Sequence, residues 1–190
     1  MRVWLIRHGM TALGEEGRYQ GRLDAGLSVS GRTALRPAAF APAHIYVSPA
    51  RRARETAALL FPSAEQRIVP ALREMDFGLF EGRSWRVMEQ DTAYRAWVDG
   101  GCSGRCPNGE DRAAFCARVC GAFAAILARE RESAELVIVA HGGTQMAVLE
   151  RWGEPARVYW QWQRPCGCGW LLEAEENGRL RVLEEVGFLR

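Results

Sequence analysis

Four short apolar runs, Val3 to Ile6, Ile45 to Val47, Ile68 to Val69 and Leu136 to Ala140, are separated by stretches in which apolar residues recur at helical spacing. Such short runs, rich in β-branched residues, read as buried strands, and their alternation with helices predicts an α/β sheet. The clearest helix is expected over about 110–130, where Phe115, Val119, Ala122 and Ile126 recur at steps of four, three and four, with Cys116, Cys120, Phe123 and Leu127 widening the same face. Ser48 before Pro49 reads as the N-cap and first residue of a helix running through Arg52, Thr56 and Leu60. Between Gly78 and Gly109 the periodicity weakens and Gly100, Gly101, Gly104, Pro107 and Gly109 crowd together. That pattern predicts an insertion or lid over about 80–118 rather than a linker. Trp170 to Leu172, the turn at Asn177 and Gly178, and then Leu180 and Val182 read as a hairpin.

A chain of 190 residues, 48% of them hydrophobic, can close one sizeable core, so residues 1–190 are expected to form one domain. The net charge of +2 is spread along the sequence, which offers no footprint for nucleic acid or a membrane surface. The apolar run in Met1 to Gly9 is too short for a signal peptide, and no stretch of about 18 apolar residues occurs. The six cysteines form no Cys-x-x-Cys, which predicts free thiols and a cytoplasmic setting. Cys116 and Cys120 fall on the apolar helix face and read as core; Cys102, Cys106, Cys166 and Cys168 are the ones from which a zinc site would have to be assembled. Every cationic side chain is Arg and none is Lys. A GC-rich genome gives that bias, but the guanidinium fork also suits oxyanions.

Two of the three histidines stand where strands should end, in Arg7-His8-Gly9 and His141-Gly142-Gly143. The carboxyl ends of parallel strands line the ligand crevice of an α/β sheet, so both imidazoles are candidates for one pocket. A neutral imidazole keeps a lone pair that can attack phosphorus, and Arg7 beside His8 would hold phosphate oxygens while disfavouring the imidazolium. Transferred phosphoryl groups carry negative charge on their equatorial oxygens, so positioned cations matter most. A second guanidinium is expected from Arg51, Arg52 or Arg54 at the start of the helix after Pro49. Leaving-group protonation needs an acid, for which Glu74 stands ahead of Asp76 and Glu81. Tyr159, Trp160 and Trp162 form an aromatic cluster suited to a substrate mouth, a dimer contact or simple burial.

Taken in order, Arg7-His8-Gly9 with Thr11, Gly17 to Gly21 through Asp24, Leu27, Ser28 and Gly31, Ser48-Pro49 through Arg52 and Thr56, Leu72-x-Glu74 with Gly78, Glu81 and Gly82, and His141-Gly142-Gly143 resemble the histidine phosphatase superfamily in its phosphoglycerate-mutase-like branch. The resemblance implies a three-layer α/β sandwich, with a mostly parallel sheet and helices on both faces. It implies that His8 is phosphorylated, that Arg7, Arg52 and His141 hold the phosphoryl group, and that Glu74 is the acid and base. Gly142 and Arg18 are implied as further contacts. No metal and no cofactor is implied, and the partner is a small-molecule phosphomonoester; a homodimer stays open. The segments Glu74 to Gly82, Trp97, Cys106 to Asp111 and Phe115 to Val119 resemble α-ribazole phosphatases of cobalamin assembly. A phosphoglycerate mutase and a non-catalytic phosphate-ester binding protein are the alternatives. Two positions depart from the family pattern: Met10 stands for its usual Glu and Gly14 for its usual Asn, which removes one side-chain donor from the phosphate pocket.

Overall fold

The computed structural model describes residues 1–190. Seven strands, β1 (Arg2–Arg7), β2 (His44–Val47), β3 (Glu65–Ile68), β4 (Glu135–Ala140), β5 (Gly153–Glu154), β6 (Cys168–Ala174) and β7 (Leu180–Gly187), form one mixed sheet in the order β3-β2-β4-β1-β6-β7-β5. β1, β4, β2 and β3 run parallel, whereas β6 pairs antiparallel with β1 and with β7. The helices are α1 (Ala12–Glu15), α2 (Val29–Ala34), α3 (Arg51–Leu60), α4 (Thr92–Asp99), α5 (Arg112–Arg129) and α6 (Gly142–Trp152). None of them is long and apolar enough to cross a membrane.

Side chains alternate across a strand, and here alternation divides the core in two. Val3 and Leu5 of β1 and Leu136, Ile138 and Ala140 of β4 join Phe115, Val119 and Phe123 of α5 and Val148 and Leu149 of α6. Ile6, Val137 and Val139 turn the other way onto Ala53, Ala57 and Leu60 of α3. The result is helix, sheet and helix in three layers, with β1 and β4 buried on both faces.

Several boundaries differ from the expectations. β3 is an edge strand whose side chains Glu65, Gln66 and Arg67 are polar, so only its end carried an apolar signal and the pattern placed it three residues late. α5 begins at Arg112 because Asp111 caps it, its carboxylate accepting from the Ala114 amide at 2.8 Å. α3 is not capped by Ser48. Its N-cap is Ala50, without a side-chain hydrogen bond, and Ser48 serves the site described below. The stretch after Gly78 is more built than its composition implied, with a 3₁₀ turn at Gly78–Phe80 and α4 capped by Asp91. It buries Phe80, Met88, Trp97 and Cys106 in the larger core cluster.

Candidate active site

Strand ends and helix starts converge at one edge of the sheet. β1 delivers Arg7 and His8, β4 delivers His141 at the start of α6, and α3 presents Arg52 from its first turn. A cavity of about 380 Å³ opens there, its floor formed by Arg7, His8, Arg52, Glu74, Gly142 and Gly143.

The two imidazoles lie edge to face, with ring centroids 5.3 Å apart, and both are buried. Nδ1 of His8 is 2.7 Å from the Gly9 carbonyl, which can only accept, so Nδ1 carries the proton and Nε2 keeps its lone pair. Burial first, then the charges of Arg52 and Arg7, hold the His8 pKa well below its ordinary value. His141 is lowered by burial, then by Arg52, His8 and Arg7. Both rings are therefore neutral at physiological pH. The Nε2 of His141 is 2.7 Å from the Ser48 hydroxyl at the end of β2.

The guanidiniums are fixed by the backbone. Arg7 donates to the Arg164 carbonyl at 2.7 Å, and Arg52, only 1% exposed, donates to the carbonyls of Leu23 at 2.8 Å and Gly21 at 3.0 Å. Helical phase selects Arg52 among its neighbours: Arg51 is exposed and paired with Glu55, and Arg54 is exposed. The loop that receives Arg52 is tied down by Glu81, whose carboxylate accepts from the amides of Arg22, Leu23 and Phe77. Gly21 there has φ +47°, and a Cβ on it would strike Glu81. A Thr56 hydroxyl joins the two halves, accepting from the Gly9 amide at 2.9 Å and donating to the Arg52 carbonyl at 2.7 Å.

Glu74 has one oxygen on its neighbour's amide, Met75 N at 3.0 Å, and the other on Gly143 N at 3.2 Å. A Cβ on Gly143 would collide with this carboxylate, so the second glycine after His141 makes room for the acid. The other two acids considered are already engaged: Asp76 pairs with Arg22 at 2.8 Å, and Glu81 holds the loop. Arg18 reaches the cavity but is bound to Glu16 and the Gly82 carbonyl.

Three buried donor-capable nitrogens gather here without a partner: Nε of Arg7, Nε of Arg52 and Nδ1 of His141. Buried polar atoms are almost always satisfied, so orphans on two cavity-lining guanidiniums and on the imidazole whose ring lies 5.3 Å from that of His8 describe a receptor for an oxyanion. At Gly14, a Cβ would lie 3.5 Å from Nε2 of Gln20, whose side chain also lines the cavity.

The outer walls use Tyr159 and Trp160 of the aromatic cluster suited to a mouth, Tyr19, Phe77 and Trp97 from the motif segments, and two residues, Arg112 and Gln163, that the sequence did not single out. Tyr19, Phe77 and Trp97 meet edge to face, and Arg112, Tyr159, Trp160 and Gln163 complete the lining. Trp162 is absent from the lining; it is fully buried against Trp170. No group of three His, Cys, Asp or Glu side chains is arranged to hold a metal ion, and all six cysteines are free thiols.

The model of the histidine phosphatase superfamily (branch 1) matches residues 3–185. The adenosylcobalamin/alpha-ribazole phosphatase of Escherichia coli (strain K12) is 32% identical, over 96% of this chain and 95% of its own. The crystal structure of the alpha-ribazole phosphatase from Shigella flexneri superposes with a TM-score of 0.81 at 32% identity, covering 96% of each chain. That of a phosphoglycerate mutase from Thermus thermophilus gives 0.72 at 31% identity, covering 98% of this chain and 99% of that one.

Proposed function

The chain belongs to the histidine phosphatase superfamily, and on that footing we propose that it hydrolyses a small phosphomonoester through a phosphohistidine on His8. The observation that carries this reading is the set of three orphaned nitrogens around a neutral imidazole whose Nε2 lone pair is free. A phosphoryl group between them would satisfy all three, with Ser48 giving its hydroxyl proton to Nε2 of His141 so that Nδ1–H points to the substrate.

His8 Nε2 attacks phosphorus as the ester P–O bond breaks, and Glu74 gives a proton to the departing alcohol oxygen. Glu74, now a carboxylate, takes a proton from water whose oxygen attacks the phosphohistidine. The N–P bond breaks and inorganic phosphate leaves. Arg7, Arg52 and the amide end of α6 at Gly142 face the charge of both transition states. Gln20, whose Nε2 lies 3.5 Å from where a Cβ at Gly14 would stand, after Met10 Sδ and Thr11 Oγ1, is the candidate for the missing donor. The segment from about 80 to 118 serves as the wall that selects the alcohol, and the aromatic mouth it shares with Tyr19 and Trp160 suits a flat heterocyclic ester such as α-ribazole 5'-phosphate.

His8→Ala should abolish release of phosphate from that ester and from a generic aryl phosphate, both assayed in chelator; retention of more than a few per cent would remove His8 as nucleophile. Interconversion of phosphoglycerates exceeding phosphate release would instead favour a mutase, the activity named for the Thermus structure.

A further inference from the structure

Glu74 is the acid of the proposed reaction, yet little fixes its carboxylate directly, which accepts only from the amides of Met75 and Gly143. The residues that carry it, 73–77, form neither helix nor strand. A loop without a ladder of its own is mobile unless other elements tie it down, so the placement of the acid depends on what grips this backbone.

Arg118 on α5 supplies that grip. Its guanidinium donates to the carbonyls of Ala71 at 2.8 Å and Arg73 at 3.0 Å, and reaches that of Glu74 at 3.5 Å. Glu110 holds the guanidinium from the other side, accepting from Nε at 3.0 Å and from Nη2 at 2.7 Å. The same carboxylate accepts from the Asp76 amide at 3.0 Å, and the Glu110 amide donates back to the Asp76 carbonyl at 2.8 Å. One ion pair therefore clasps the loop on both sides of Glu74. Phe115, one turn earlier on α5, lies under the guanidinium, 5.3 Å from it to the ring centre, and its edge stands beside the Glu74 carboxylate over Gly143. The side chains of Arg118 and Glu110 are only 25% and 19% exposed, and a two-pronged pair withdrawn from water is stiffer and stronger than one on open surface. Arg118 does not line the cavity, so whatever it does for the reaction passes through the loop.

We propose that Arg118, clamped by Glu110, is a positioning residue for the general acid, setting where the Glu74 carboxyl meets the leaving oxygen. This rests on the phosphatase reading and adds to it the element that holds the acid. Displacement of a reacting group by about 1 Å can cost about a hundredfold in rate, and here the loss should fall on proton transfer alone, because Arg7 and Arg52 are anchored to other carbonyls.

The test is the dependence on leaving group. The alcohol of para-nitrophenyl phosphate departs as a stable phenolate, whereas that of para-nitrobenzyl phosphate must be protonated as it leaves. The value of kcat/KM covers steps up to P–O cleavage, so later hydrolysis of the phosphohistidine does not enter. Glu74→Gln sets the scale and should lower the benzyl-to-phenyl ratio of kcat/KM by about a hundredfold or more. Arg118→Met should lower it by about ten- to a hundredfold. Arg118→Lys, which keeps the charge without the fork, and Glu110→Gln, which loosens the clamp, should each lower it by a smaller factor and remain informative if the Met variant does not fold. Added to Glu74→Gln, Arg118→Met should shift the ratio by no more than about threefold further, since both act through one proton. Partial unfolding leaves a ratio internal to each variant unchanged. An effect routed through His141, where Arg118 is the last of the charges behind burial and Arg52, would weaken both esters alike. A ratio unchanged in the Arg118 and Glu110 variants, or a fall just as large without the Glu74 carboxyl, overturns the proposal while leaving the phosphatase reading intact. Release of phosphate from neither ester by the wild type sinks that reading, and the role of Arg118 with it.

Discussion

The two ends of the central strands treat charge in opposite ways. At the end where β2 begins, the buried carboxylate of Glu130 receives the Tyr46 hydroxyl at 2.6 Å, Ser133 at 2.6 Å, His44 at 3.1 Å and Arg67 at 3.2 Å. Ser133 and then Tyr46 hold its pKa down to about 2. At the other end, Arg7, Arg52 and His141 keep nitrogens unsatisfied, and both imidazoles face guanidiniums rather than carboxylates. One cluster is complete within the protein and the other is completed only by a ligand. The first contributes stability, and the second holds guanidinium and imidazole N–H groups without acceptors in readiness.

Arg52→Ala gives the sharpest test of that contrast. Loss of one oxyanion donor should lower kcat by about a hundredfold to a thousandfold, read in steady-state phosphate release. It should also raise the His8 pKa, since Arg52 is the larger of the two charges depressing it. A loss below tenfold would mean the floor does not work as a receptor. Ser48→Ala removes one neutral hydrogen bond to His141 and should cost about tenfold or less in kcat, with unfolding stability unchanged to within about 1 kcal/mol. At the opposite end, Glu130→Gln should destabilise by about 1–3 kcal/mol in urea unfolding while kcat stays within about twofold. A large kcat effect there would show that the two ends are coupled.

The pH response separates the two ends most finely. His8 and His141 have folded pKa values well below 6.5, so below about pH 6.5 the unfolded chain binds protons that the native one refuses, and stability falls as pH drops through that window. Glu130 contributes stability above its unfolded pKa of about 4.3, which is lost as pH falls toward about 2. Urea midpoints against pH should therefore decline in two stages, and Glu130→Gln should flatten only the lower one. Imidazole proton resonances of His8 and His141 should show no inflection at or above pH 6.5.

The floor of the cavity was legible in the sequence because its parts are contiguous with strand ends. Arg7-His8-Gly9 closes β1 and His141-Gly142-Gly143 follows β4, so short motifs carry their own placement. Arg52 needed more: three arginines share the first turn of α3, the family resemblance alone singled one out in the sequence, and in the structure burial phase and the carbonyls of Gly21 and Leu23 distinguish it. The mouth was legible only in part: Tyr159 and Trp160 stood out as an aromatic cluster suited to it, whereas Trp162 of that cluster is buried and the other walls were not foreseen as such. Tyr19, Phe77, Trp97, Arg112 and Trp160 belong to separate segments and converge only through tertiary packing, which leaves no local pattern. Ser48 misled for a related reason. A Ser before Pro at a strand end fits a helix cap, and nothing near it in sequence announces a histidine 93 residues away.

The anchors of Arg7 and Arg52 are carbonyl oxygens, those of Arg164, Leu23 and Gly21. A main-chain oxygen is supplied by every amino acid, so the grip on these guanidiniums is indifferent to which side chains stand at positions 23 and 164. The surrounding loops are thereby free to diverge in composition while the floor of the cavity keeps its geometry, and the outer wall can be remade without disturbing the guanidiniums beneath it.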